Sequence, residues 1–318
     1  MRQPLMRHSL LFAAASILVT ATATMTANAE KAPAAQAVIF DYAKATDVPA
    51  LAGGMFQKAK CCTITEWKVP RPTGGEVEMT VIAPPGKAKH PTVLWLHREG
   101  AEVKRAMFVQ EAETLATMGI ASLLVELPFK QPYVHRANNN AGDADVIRNA
   151  VIDARRALDW AATRPEFNID RVAVVGHRFG AWAGALLTAV DKRVDAALLM
   201  SPPGKPSGWL QVTEQAKAKK FRETFDKEAW GAYLNSIEPL DPEKWIMYAA
   251  PAKLHFQFAS NDEWVQTLEQ VDLYRAASQP KSRQMFEADE LLNDEAKKDR
   301  HAWLRRVLLE TEGDLEAR

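Results

Sequence analysis

Residues 171–180 of this 318-residue chain read RVAVVGHRFG. The apolar run at 172–175 is mostly β-branched, which is typical of a strand buried on both faces of a sheet. Gly176 ends that strand, and a helical pattern begins at Phe179. The segment therefore predicts a buried strand, a strained turn at Arg178 and a helix packed closely against the strand.

This segment resembles the nucleophile elbow of the α/β-hydrolase superfamily, whose pattern is G-x-S-x-G. Gly176 and Gly180 match its glycines, and Arg178 takes the place of the serine. The preceding helix pattern and the sequence RPEFNIDR at 164–171 resemble the dienelactone hydrolase and acetyl-xylan-esterase-like branch. The resemblance implies an α/β-hydrolase fold, with a mostly parallel central sheet flanked by helices. It also implies a carboxylic-ester hydrolase if the chain is active.

The resemblance also places the other catalytic positions. Asp262 follows the predicted strand 253–258 and takes the position of the triad acid. Aligned on Asn293 and the sequence DRHAWL at 299–304, the position of the triad histidine falls on Glu290, after the last predicted strand, and residues 256–300 contain no histidine. His301 lies inside the terminal helix, away from that position. The standard Ser-His-Asp triad is absent, since a guanidinium at Arg178 has no lone pair with which to attack a carbonyl.

A second loop resembles the oxyanion-hole segment of the same superfamily. The predicted strand 92–96 ends at HREG, residues 97–100, which is similar to the H-G-x-G loop. Arg98 stands where a glycine is common, and its long side chain is expected to reach the cleft. The resemblance implies that Arg98 and Phe179, the residue after the elbow position, lie where backbone N–H groups would hold an oxyanion.

Three functions remain open from the residues alone. In the first, Arg178 pairs with Glu290 and Asp262 and plugs the site of a pseudohydrolase, because a buried guanidinium needs acidic partners. In the second, Arg178 and Arg98 receive an anionic small molecule at the start of the helix. In the third, the chain hydrolyses esters through a non-standard site that uses Asp262 or Glu290.

The first 29 residues predict a secretory signal peptide, so the protein is expected in the periplasm or outside the cell. Arg2 and Arg7 precede an apolar run at 10–19, and Ala27-Asn28-Ala29 is a small-x-small cleavage site. The run is too short to span a membrane, which needs about 20 residues. No stable membrane anchor is expected after cleavage. Residues 30–318 are predicted to form one α/β-hydrolase domain, with a helical cap at about 203–248.

Charge and composition limit the partners. Residues 30–318 carry 38 basic and 40 acidic side chains, without a basic stripe, so we expect no nucleic-acid partner. No cofactor and no metal site are predicted; a small-molecule ligand or an ester is the expected partner, and a protein partner is not predictable. Cys61 and Cys62 are adjacent and allow a vicinal disulfide, a bond between chains or, slightly preferred, two small buried residues.

The remaining elements follow from hydrophobic periodicity. Asp143 is predicted as a helix N-cap, and Asp262 has the same role as an alternative to that of triad acid. The loop at 128–142, which contains His135, is predicted to lie on the surface. Helices are predicted around 49–58, 103–118, 143–163 and 265–276, within the cap and at the end of the chain. Further strands are predicted at 63–69, 77–83, 120–127, 194–200 and 283–288.

Overall fold

A computed structural model describes residues 37–43, 51–58 (backbone only), 61–71, 74–100, 102, 104–128 and 142–310. The predicted signal peptide and the loop around His135 lie outside these ranges. In the described part of the chain, the fold is built on a nine-stranded sheet. The strands β1 to β9 are Leu51–Lys58, Thr63–Pro70, Glu76–Ala83, His90–Leu96, Ala121–Val125, Phe167–His177, Val194–Met200, Lys253–Ala259 and Lys281–Phe286. Their order in the sheet is β1-β2-β3-β5-β4-β6-β7-β8-β9. The pairs β1–β2, β2–β3 and β3–β5 are antiparallel, and the pairs from β5–β4 onward are parallel.

Helices cover both faces of the sheet and divide the core into two layers. The helices α1 to α8 are Val109–Thr117, Asp143–Ala162, Phe179–Val190, Pro206–Val212, Ala216–Arg222, Lys227–Ile237, Thr267–Ala276 and Asp294–Leu309. One layer packs α2 to α7 onto the sheet around Trp160 and Trp182. The other packs α1 and α8 onto the opposite face around Trp95 and Trp303. Both faces of the central strands are thus buried, as their apolar sequences predict.

The segment between β7 and β8 is helical throughout its regular structure, as predicted for the cap. It contains α4, α5 and α6 and then three short 3-10 turns within 238–248. The indole N–H of Trp182, on α3, donates to the carbonyl of Leu240 at 2.6 Å, which ties this segment to the helix after the elbow. The helices therefore lie over the same end of the sheet as the turn at Arg178.

Two local predictions are wrong. The helix predicted around 49–58 is the edge strand β1, which pairs with β2 and carries an irregularity between Gly53 and Gln57. Consecutive glycines lower helix stability there, and strand pairing takes its place. Asp143 is not the N-cap of α2: Gly142 holds that position, and Asp143 is the first helical residue. Its carboxylate accepts a hydrogen bond from the hydroxyl of Tyr233 at 2.9 Å.

Among the described residues, no helix has both the length and the apolar character needed to cross a membrane.

Candidate functional site at the elbow

The backbone at Arg178 has the geometry of a sharp strand-to-helix turn. Its φ of 52° and ψ of −111° lie in a region that side-chain-bearing residues rarely adopt. A Cβ atom on Gly176 would collide with the backbone at Gly180, and one on Gly180 would collide with the carbonyl of Leu96. The two glycines thus allow α3 to lie against β6 and β4, as the sequence pattern predicts.

Arg178 is buried and forms its principal ion pair with Glu99. Its Nε and Nη2 atoms each lie 2.8 Å from Oε1 of Glu99, and the two residues are 8% and 5% exposed. Glu290, the partner expected from the sequence, is more distant: its Oε1 lies 3.9 Å from Nη1 of Arg178. The guanidinium also lies over the ring of Trp264, 5.0 Å from its centroid. Arg178 thus pairs with acidic side chains, as predicted for a buried guanidinium, and Glu99 is nearer to it than Glu290 is.

The Glu99 carboxylate also contacts the backbone N–H of Phe179, one of the two groups that the sequence predicts as oxyanion donors. The backbone N–H of Phe179 donates to Oε2 of Glu99 at 3.4 Å, a long hydrogen bond. The side chain of Arg98 turns back to its own loop, where its Nη1 donates to the carbonyl of Glu99 at 3.5 Å. His97 fixes the start of the loop, because its Nε2 accepts from the N–H of Leu127 and its Nδ1 lies 2.6 Å from the carbonyl of Arg98.

Asp262 lies after β8, as predicted, but it organises a turn and does not cap α7. Its Oδ1 accepts the N–H groups of Trp264 and Val265 at 2.8 and 2.9 Å, while Gln266 is the N-cap of α7. Burial raises the pKa of Asp262, against these hydrogen bonds and the charge of Arg178. Its other oxygen, Oδ2, is buried and accepts no hydrogen bond from any residue that the structure describes.

The backbone of Glu290 is held in place by two side chains from neighbouring strand ends. Nε2 of His177 lies 2.7 Å from the carbonyl of Glu290, and the hydroxyl of Ser201 donates to the same oxygen at 3.1 Å. Burial lowers the pKa of His177 to about 3, despite its hydrogen bond to Glu290, so the imidazole is neutral and donates through Nε2. His177 is therefore engaged with the backbone and is not oriented as a base toward the elbow side chain.

The Arg178–Glu99 pair borders a pocket with about 430 Å³ of empty space, a figure that includes open solvent. Its walls come from the loop after β4, the elbow, the end of β7, α4 and the turn before α7. The lining side chains are Glu99, Arg178, Phe179, Ser201, Pro203, Pro206, Trp209, Trp264, Val265 and Glu269.

Glu269, on α7, is a pocket residue that the sequence analysis did not identify. Its Oε1 accepts the N–H groups of Gly204 and Lys205 at 2.8 and 2.9 Å. Burial raises its pKa to about 7; the two hydrogen bonds oppose this rise, and the negative charges of Asp241 and Asp262 add to it. No motif marks this residue, because it reads as an ordinary acid in the first turn of a helix.

The remaining aromatic and histidine predictions separate into pocket and core. Trp209 contributes a ring to the pocket, with its centroid 6.0 Å from that of Trp264. Trp230 and Trp245 pack within the helical segment, the commoner role for tryptophan there. His301 points to Glu111 at 3.1 Å on the other face of the sheet, and it takes no part in the elbow site.

Comparison with known proteins identifies the fold. No protein-family model and no curated protein sequence matches the chain. Among solved structures, acetyl xylan esterase 1 from Thermoanaerobacterium sp. JW/SL YS485 matches with a TM-score of 0.71 and 12% identity, over 86% of this chain and 92% of the esterase. Acetyl xylan esterase from Paenibacillus sp. R4 matches with a TM-score of 0.69 and 15% identity, over 82% and 90%.

A 2,6-dihydroxy-pseudo-oxynicotine hydrolase also matches, with a TM-score of 0.59 and 17% identity over 77% of this chain and 68% of that one. The chain therefore has the α/β-hydrolase fold, in the form seen in acetyl xylan esterases. At these identities the similarity concerns the fold, and activity must be argued from the side chains at the elbow.

Proposed function

We propose that this protein is a non-catalytic member of the α/β-hydrolase fold, which keeps the pocket of a hydrolase as a binding site. The observation that carries the proposal is the contact of the Glu99 carboxylate with both Arg178 and the N–H of Phe179. An acyl hydrolase needs a nucleophile at the first position and an empty donor at the second. Here a guanidinium and a carboxylate occupy those two positions and neutralise each other.

The geometry around Arg178 disfavours an anionic ligand for this binding site. An anionic ligand would need the guanidinium as its partner, but Glu99 is already bound to it at 2.8 Å, with Glu290 at 3.9 Å. A ligand carboxylate or phosphate would enter a pocket whose polar wall is mostly acidic, at a cost in repulsion. Arg98 donates to a backbone carbonyl and is not among the residues that line the pocket.

The test is hydrolysis of short-chain nitrophenyl esters by the purified protein and by a rebuilt site. We expect no turnover above buffer from the wild type, and measurable turnover from the triple variant Glu99→Ala, Arg178→Ser, Glu290→His. The double variant that keeps Glu99 should stay inactive, because its carboxylate still fills the oxyanion position. Adding Asp262→Asn to the triple variant is the matched control and should remove the gained activity.

Wild-type turnover that survives Arg178→Ser would overturn this proposal in favour of an ester hydrolase with a non-standard site. In that case Asp262 and Glu290 are the groups to replace next, singly and together. Turnover that requires Arg178 itself would equally contradict a non-catalytic role.

We also propose that the protein is exported to the periplasm or the medium, on the strength of the predicted signal peptide at 1–29. N-terminal sequencing of the protein recovered from its native host checks this. We expect the recovered chain to begin at Glu30. A chain that retains Arg2 and Arg7 and stays in the cytoplasm would contradict export.

A further inference from the structure

The pocket beside Arg178 has an excess of negative charge. Arg178 and Glu99 cancel each other across 2.8 Å. Glu269 on the pocket wall then has no cationic partner among the described side chains that line the pocket. Behind the wall, Asp262 and Glu290 add two further carboxylates. An ionised carboxylate in such a place lacks the water that would otherwise stabilise it, so a bound cation would gain a favourable interaction.

Glu269 is oriented to offer an oxygen to a ligand. Its Oε1 is held by the N–H groups of Gly204 and Lys205, which fixes the carboxylate at the start of α7. Its Oε2 takes part in no hydrogen bond with the residues that the structure describes, and Glu269 lines the pocket. The side chain is therefore anchored through one oxygen, with the other left for the cavity.

The apolar wall of the pocket suits a cation attached to an aromatic or aliphatic body. The rings of Trp209 and Trp264 meet at 40° with centroids 6.0 Å apart, and so form an angled aromatic surface next to Glu269. The pocket already places one cation on such a ring, since the guanidinium of Arg178 lies 5.0 Å from the centroid of Trp264. Tryptophan is the ring that binds cations best, and Pro203 and Pro206 extend the apolar surface.

We propose that the pocket binds a small organic ammonium ion, with the ammonium group at Oε2 of Glu269 and its apolar body on Trp209 and Trp264. This inference rests on the proposed binding function and names the class of ligand for it. The competing ligand classes are a neutral alcohol or ester and an organic anion, and they differ from an ammonium ion in charge. Probes of one size therefore decide between them.

The experiment compares benzylammonium, benzyl alcohol and benzoate binding to the purified chain at pH 8, by isothermal titration and tryptophan fluorescence. We expect benzylammonium to bind at least tenfold more tightly than either other probe. Glu269→Gln should reduce its affinity about tenfold, to that of benzyl alcohol, while the amide oxygen still accepts from Gly204 and Lys205. The matched control Glu263→Gln removes an exposed carboxylate outside the pocket and should leave the affinity unchanged.

A second variant and a pH series give independent readouts. Trp209→Leu should weaken benzylammonium about fivefold or more without changing its preference over benzoate. Affinity for benzylammonium should fall as the pH drops through about 7, where Glu269 takes up a proton, and Glu269→Gln should remove that dependence. The charged residues around Glu269 are Asp241, Asp262, the Arg178–Glu99 pair across the pocket and Lys205, whose backbone N–H donates to it.

Equal affinity for all three probes, a preference for benzoate, or no saturable binding would overturn the cation site. None of these outcomes bears on whether the protein hydrolyses esters. Conversely, ester turnover by the wild type would refute the non-catalytic role whatever the binding preference. The two proposals therefore fail separately.

Discussion

Two buried arginine–glutamate pairs in the described part of the chain, one between α1 and α8 and one at the elbow, differ in how completely they are satisfied. Between α1 and α8, Arg300 binds both carboxylate oxygens of Glu111 at 2.8 Å and donates to Gln257 at 2.8 Å. His301 adds a contact to Glu111 at 3.1 Å. At the elbow, Nη1 of Arg178 is buried and has no hydrogen-bond partner among the described residues.

The difference separates a structural network from a candidate site. A fully satisfied polar network rigidifies the core around it, whereas a partly satisfied one leaves bonding capacity next to a cavity. Arg178 of the elbow pair also has strained backbone, with φ of 52°, as does Ser201 on the same pocket wall, with φ of 43°. Strain of this kind concentrates at functional sites. The first pair holds α8 to the sheet, and the second is part of a pocket wall.

The largest effect is expected from breaking the satisfied pair. Arg300→Met should lower the free energy of unfolding by about 3–5 kcal/mol, because it leaves the Glu111 carboxylate buried without its partner. Urea denaturation measures the loss. The matched control is Arg305→Met on the same helix, whose side chain is 59% exposed and should change stability by less than about 0.5 kcal/mol. Similar losses from both variants would mean that the network contributes nothing beyond helix packing.

Acid should weaken the same pair over a definite range. Burial raises the pKa of Glu111, but His301 and Arg300 outweigh it and lower the pKa to about 2. Because the folded pKa lies below the unfolded one, the stabilisation is present above about pH 4.5 and is lost as the pH falls toward 2. The wild type should lose on the order of 3 kcal/mol more than Glu111→Gln over this range. Parallel pH curves for the two proteins would contradict the assignment.

The elbow pair should contribute less. Arg178→Ser removes the partner of Glu99, but the space that the arginine vacates opens onto the pocket and admits water to the carboxylate, so we expect a loss of about 1–3 kcal/mol. Adding Glu99→Gln should recover part of that loss, since no unpaired charge then remains. Thermal and urea unfolding of the two single variants and the double variant give the coupling energy. A loss as large as that of Arg300→Met would show that the two pairs are equally structural.

Glu269 should respond to pH in the opposite direction to Glu111. Its folded pKa of about 7 lies above the ordinary carboxyl value, so the folded state holds a proton that the unfolded chain releases. Stability from this group is complete below about pH 4.5 and is lost as the pH rises through 7. Glu269→Gln should therefore become relatively more stable over that range, by about 1–2 kcal/mol. A constant difference between variant and wild type would contradict the raised pKa.

Much of the fold could be predicted because it depends on local pattern. The close crossing of strand and helix at the elbow requires glycine at 176 and 180. The apolar runs of the parallel strands match their burial on both faces. The prediction of a helix around 49–58 is wrong because this eight-residue edge strand is specified by its pairing with β2. The residues of β2 lie elsewhere in the sequence, so the local hydrophobic pattern of 49–58 does not show that pairing.

The sequence did not predict which acids lie closest to Arg178. Glu290 lies 3.9 Å from Arg178 and Asp262 is near enough to feel its charge, but neither Glu99 nor Glu269 was identified. Glu99 follows Arg98 in a loop without periodicity, so the sequence does not show which of the two side chains turns inward. A buried arginine requires a near acid, and the closest acid on any neighbouring loop was the available signal. Whether these residues serve binding stays a prediction.

The contact between Glu99 and the N–H of Phe179 also suggests a way in which a protein with the α/β-hydrolase fold loses ester hydrolysis. Ester hydrolysis leaves a carboxylic acid beside the oxyanion donors, so in the non-catalytic role that we propose Glu99 acts as a tethered copy of the reaction product. Tethering makes such inhibition independent of concentration and leaves no dissociation step to relieve it. We therefore expect a serine introduced at position 178 to give no ester turnover while the Glu99 side chain is present.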